Sequence, residues 1–110
     1  MNMTFDEYQV AARSTAIYPE AMKVVYPTIG LAGETGEVAE KVKKTLRDAG
    51  GTFAGERRDA IAAELGDVLW YVAMIAADLD LSLDQVARLN VEKLRSRVAR
   101  HRLHGSGDNR

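Results

Sequence analysis

The stretch from Glu56 to Leu79 limits the fold more than any other part of the chain. Successive residues on a helix turn by about 100°. On that wheel Ile61, Leu65, Val68, Val72, Ile75 and Leu79 make one apolar stripe. Trp70, Ala73, Met74 and Ala77 make a second on the other side. A helix that is apolar nearly all round has to be covered on several sides. Such a helix either stands at the centre of its own bundle or packs against another subunit. In a chain of 110 residues we expect the second, a homo-oligomer.

The rest of the chain also reads as helix. Thr4 and Glu7 form a capping-box pattern that opens a first helix to about Ile17, which Tyr18-Pro19 closes. A short helical piece is expected over Glu20 to Val25. Pro27 suits the first turn of a second main helix, running to about Asp48 and stopped by Gly50-Gly51. Its core stripe is Leu31, Val38, Val42 and Leu46. Ser82 and Gln85 mark the start of a last helix to about His101. No strand alternation appears. The expectation is an all-α, four-helix bundle-like domain over 1–103 with a polar tail over 104–110.

Bulk properties remove several function classes. A net charge of −1 offers no basic footprint for nucleic acid. The chain has no cysteine, so disulfides and thiolate metal sites are out. The longest apolar run, Val68 to Ala77, is too short to span a bilayer, and the N-terminus lacks a signal-peptide layout. We therefore expect a cytoplasmic protein without a membrane or nucleic-acid partner.

Two acid pairs carry the chemistry. Glu34-Thr35-Gly36-Glu37 and Glu64-Leu65-Gly66-Asp67 each set carboxylates at i and i+3, neighbouring positions on a helix surface. Glu34 and Glu64 both border a core stripe, and Glu37 and Asp67 both lie further round. If the two stripes pack together, one rim carries all four acids. Four carboxylates around one small volume suit Mg²⁺, or Mn²⁺, usually beside substrate phosphates. Gly30, Gly33, Gly36 and Gly66 sit within the same two helices, each costing about 1 kcal/mol relative to alanine. Close helix packing would offset that cost; so would room for a metal cluster and a polyphosphate. The ordinary alternative for the charges is a solvated face in which Glu37 pairs with Lys41 and Glu40 with Lys44.

Other site types lack their parts. No Glu-x-x-His is present for a di-iron centre. There is no G-x-x-x-x-G-K-[ST] loop and no nucleophile with a histidine partner. His101 and His104 fall at the end of the last helix and in the tail, where solvation is the simplest reading.

Together these segments resemble the MazG-like, all-α nucleoside triphosphate pyrophosphohydrolases. Gly30 to Glu40 is similar to that family's first metal helix and Ala63 to Tyr71 to its second. Leu89-Asn90-Val91-Glu92-Lys93-Leu94 is similar to its closing Asn-x-x-Lys-Leu segment, and Phe5 to Pro19 to the opening helix of small, phage-type members. The likeness covers about residues 4 to 97. It implies cleavage of a nucleotide between the α and β phosphates, giving a nucleoside monophosphate and pyrophosphate. It implies Glu34, Glu37, Glu64 and Asp67 as Mg²⁺ ligands and Tyr71 beside the base or sugar. Asn90 and Lys93 would reach substrate from the last helix, often across a subunit boundary in a dimer or tetramer. The compact length departs from larger relatives, so contacts made by their extra helices do not carry over.

On this reading the quartet is catalytic, with Glu37 orienting or deprotonating the attacking water. Lys41, Lys44 and Lys93 would stabilise the leaving pyrophosphate. A phosphoribosyl-ATP pyrophosphohydrolase shares the acid pattern and stays open. So does a helical oligomer that binds nucleotides or a partner without turnover.

Overall fold

A computed structural model describes residues 2–100 and 107. The chain is all-α: α1 (Phe5–Arg13), a 3₁₀ turn (Glu20–Met22), α2 (Val25–Ala49), α3 (Gly55–Asp78) and α4 (Leu83–Ala99). Among the described residues there is no strand. The expected tail over 104–110, Gly107 apart, lies outside the described residues, as do His101 and His104.

Local chemistry sets most helix ends. The Thr4–Glu7 box closes in both directions at 3.0 Å and starts α1. α1 stops four residues before the expected Ile17. Ser14 and Thr15 turn their hydroxyls back onto the carbonyls of Ala11 and Ala12, which competes with the helical ladder. Gly50, in the left-handed region at φ 59°, ends α2 as expected. Ser82 accepts from the Gln85 N–H and caps α4.

The long antiparallel pair α2–α3 is the main interface, and α1 lies against the C-terminal half of α3. Leu31, Val38 and Val42 of the expected α2 stripe are half-buried, but the stripe departs at its C-terminal end. Pro27 and Thr45 are the buried residues of α2, whereas Leu46 is exposed. Thr45 is tolerated there because its hydroxyl donates to the Lys41 carbonyl at 2.8 Å, leaving no orphan group. On α3, Leu65 and Leu79 also turn outward. Ala73 and Met74, from the second strip, are fully buried inside this chain with Ala12, Ala76 and Leu83. The small alanines let α1 close onto α3, so those two residues need no second subunit to cover them. An 18-residue window of α3 reaches a mean hydropathy of 1.6, enough by length and composition for a bilayer. Its half-buried Glu64 and its packing against α2 and α1 identify it as the central helix of the fold.

Side-chain bridges fix where α4 begins. Asp6 accepts from the Ser82 hydroxyl and the Asp84 N–H, and Asp84 accepts in return from the Phe5 N–H. Gln9 donates to the Leu81 carbonyl and accepts from the Leu83 N–H. Beyond that junction α4 is sparsely covered: Val86, Leu89, Val91, Leu94 and Val98 are all exposed. The radius of gyration is 16.7 Å, against about 13 Å for a compact domain of this length.

Candidate active site

The α2–α3 pairing sets Glu34 opposite Glu64 and Asp67. One carboxylate oxygen from each lies within 4.8 Å of the other two. Glu34 and Glu64 are half-buried in the seam, and Asp67 is exposed at its rim. Burial raises the pKa of Glu34, and the Glu64 carboxyl and the charges of Asp67, Glu64 and Glu37 raise it further. Lys41 approaches this group, with Nζ 3.8 Å from Glu64 Oε1. Three convergent carboxylates with one cation at their edge fit a hard divalent ion, which takes oxygen donors. Glu37 stands outside the group of three, exposed, although its charge acts on Glu34.

Aromatic side chains adjoin one end of the acids. A cleft of about 340 Å³ is lined by Glu34, Asp67, Trp70 and Tyr71. Tyr71 has its pKa raised by burial and by Tyr26, Glu34 and Asp67. Its ring lies against Gly30, where a Cβ would come 2.7 Å from Cδ1 and closer still to Cε1 and Cζ. Close packing thus explains Gly30. It does not explain Gly33, Gly36 or Gly66, which face open space within 4 Å. Trp70 meets Tyr71 edge-on at 5.0 Å and donates its indole N–H to the Thr15 hydroxyl at 2.8 Å. Tyr18 stacks on Tyr26 at 4.9 Å.

Asp78 holds that aromatic end. Its side chain is fully buried and accepts from the Tyr18 hydroxyl, the Val24 N–H and Arg13 at 2.7 to 2.9 Å. Burial pushes its pKa up, but these donors outweigh burial and leave it below the ordinary value. Val24 sits at φ 65°, ψ −50°, and the Val25 N–H bonds back to the Lys23 carbonyl. That is a strained γ-turn, and φ > 0 is unusual for a β-branched residue. The Asp78 contact holds it in place and aims the start of α2.

The opposite end of the seam is cationic. Lys41, Lys44 and Arg57 line a second cleft of about 230 Å³ with Thr45, Glu56 and Ala60. Asn90 and Lys93 lie together elsewhere, in a hollow on α4 with Val86 and Leu89. They do not line the acid cleft of this single chain.

Trp70, Tyr18, Tyr26, Asp78 and Arg57 also neighbour the site, although none belongs to the paired-acid pattern. Arg57 had a usable signal, since it precedes Glu64 by seven residues and so shares its face of α3. Tyr18, Tyr26 and Asp78 had none, because loop and turn geometry brings them together.

The sequence model of the MazG nucleotide pyrophosphohydrolase domain matches residues 28–101. The chain is 52% identical to the "Gene 37 protein" of Mycobacterium phage L5, over 98% of this chain and all of that protein. No solved structure matches it.

Proposed function

Because the chain belongs to the MazG nucleotide pyrophosphohydrolase family, we propose that it is a Mg²⁺-dependent nucleoside triphosphate pyrophosphohydrolase. It would cleave (d)NTPs between the α and β phosphates to a monophosphate and pyrophosphate. The observation that carries this reading is the convergence of Glu34, Glu64 and Asp67 from two helices within 4.8 Å.

Glu34, Glu64 and Asp67 would hold the ion, with Glu37 available from the next turn. Bound Mg²⁺, or Mn²⁺, supplies charge neutralisation and a water of lowered pKa. In hydrolysis the water oxygen would join one phosphorus of the α–β anhydride as that same phosphorus loses its bond to the bridging oxygen, which leaves on the other phosphate. Glu37, exposed to solvent, is the acceptor we assign to the proton released. Lys41 and Lys44 offset the negative charge that gathers on pyrophosphate. Tyr71 lies beside the base or sugar. Gly33, Gly36 and Gly66 leave room for the ion and the polyphosphate.

A dimer or tetramer fits the exposed apolar residues of α4 and the open shape. In such an assembly Asn90 and Lys93 would reach the cleft of a neighbouring copy. We place the protein in the cytoplasm as a soluble enzyme. A panel of canonical and modified nucleotides with Mg²⁺, scored for monophosphate plus pyrophosphate, tests the activity. Asp67→Ala and Glu37→Ala should each lower turnover by about a hundredfold or more, with helicity and mass retained. Retained turnover in either would remove that residue from the site.

A further inference from the structure

The seam has a direction. Aromatic rings adjoin the acids on the C-terminal side of Asp67, and cations line the cleft on the N-terminal side of Glu64. Arg57 lies two turns before Glu64, about 10 Å along α3. Among the described residues, neither Lys44 nor Arg57 has an ion pair or a side-chain hydrogen bond. Glu40 and Asp48 stand within electrostatic reach of Lys44, and Asp48 of Arg57, and offset part of this charge, but their close ion pairs are with Lys43 and Arg47. Glu64 faces Lys41, and Asp48 is taken by two 2.7 Å bonds from Arg47. Only Glu56 shares the cleft lining. The first turn of α3 opens on the same cleft, and its N-cap, Ala54, offers no side-chain acceptor. Its free N–H groups add partial positive charge where Arg57 already stands.

We propose that Lys44 and Arg57 bind the terminal phosphate of a substrate whose α–β anhydride lies at Glu34, Glu64 and Asp67. The α2–α3 seam thereby selects a triphosphate over a diphosphate by length, with the nucleoside toward Trp70 and Tyr71. This deepens the pyrophosphohydrolase reading and rests on it for the position of the anhydride. An arginine in a fork geometry suits a terminal phosphate group, which offers several oxygens to paired N–H donors.

The test compares wild type with Lys44→Gln, Arg57→Gln and Arg57→Lys. The first measurement is Mg²⁺-dependent hydrolysis of a nucleoside triphosphate, with the matching diphosphate as competitive inhibitor. Each Gln variant should raise KM for the triphosphate about tenfold or more, the scale of one lost charge-assisted hydrogen bond. The inhibition constant of the diphosphate should stay unchanged, and Arg57→Lys should restore part of the loss. Equal effects on both ligands would mean a merely structural role and overturn the proposal. Calorimetric binding of inorganic tripolyphosphate reads the cationic end without a nucleoside. If no nucleotide turns over but the Gln variants still lose tripolyphosphate affinity, the anion site stands and the enzymatic reading falls. Unchanged affinity overturns the anion site even where turnover is normal. Should Arg57→Gln fail to fold, Lys44→Gln, a change at an exposed position, decides the matter alone.

Discussion

Gly30→Ala is the sharpest perturbation of the packing beside the site. On an open helix surface the change should stabilise by about 1 kcal/mol, because alanine is the better helix former. At Gly30 the new methyl would meet the Tyr71 ring, 2.7 Å from Cδ1 and closer to two further ring atoms. Carbon atoms rest at about 3.5–4.0 Å, so the ring has to retreat by about 1 Å or more. Trp70 packs edge-on against that ring and is itself tethered to Thr15, which limits the retreat. Overpacking of this kind costs about 1–3 kcal/mol. The net expectation is no gain, or a loss of up to about 2 kcal/mol. Gly33→Ala, three residues on with nothing within 4 Å of the new Cβ, supplies the internal control. Thermal or urea unfolding of both variants reads the difference. Gly33→Ala should be the more stable by about 1–3 kcal/mol, and Gly30→Ala should also raise KM as Tyr71 is pushed toward Glu34 and Asp67. Equal stabilisation by both changes would refute the Tyr71–Gly30 contact and, with it, the placement of Tyr71.

Asp78→Asn should lower stability at pH 7 by about 2 kcal/mol, since the Arg13 partner is partly exposed and its share is screened. The folded pKa of Asp78 is depressed. Its contribution is therefore full above the unfolded value near pH 4 and fades as pH falls through the lower folded one. Melting curves of wild type and variant should converge in acid; a gap independent of pH would contradict the assignment. Leu89→Asp and Val98→Asp, at exposed sites of α4, should shift any oligomer toward monomer in analytical ultracentrifugation. An unchanged mass would exclude α4 as the assembly surface.

Much of the site was legible because helices carry their own ruler. The period of 3.6 residues put the paired acids on one face of each rod, and antiparallel packing then brought Glu34 to Glu64 and Asp67. The same ruler failed at the stripe edges. Leu46, Leu65 and Leu79 were expected inside and are exposed, because helix rotation is set by how two surfaces interlock and not by either pattern alone. Thr45 entered the seam by satisfying its hydroxyl within its own helix, a choice that composition does not announce.

Sequence by itself determined the helical class, the helix starts at Thr4 and Ser82, the break at Gly50, and the two acidic faces. Each depends on neighbours within a turn or two. Only the tertiary structure decided that Asp78 fastens Tyr18 and Val24, that Gln9 and Asp6 seat α4, and that Tyr71 rests on Gly30. Those contacts join residues 41 to 78 positions apart. No local periodicity encodes a pairing at that range; it exists only once the helices have packed.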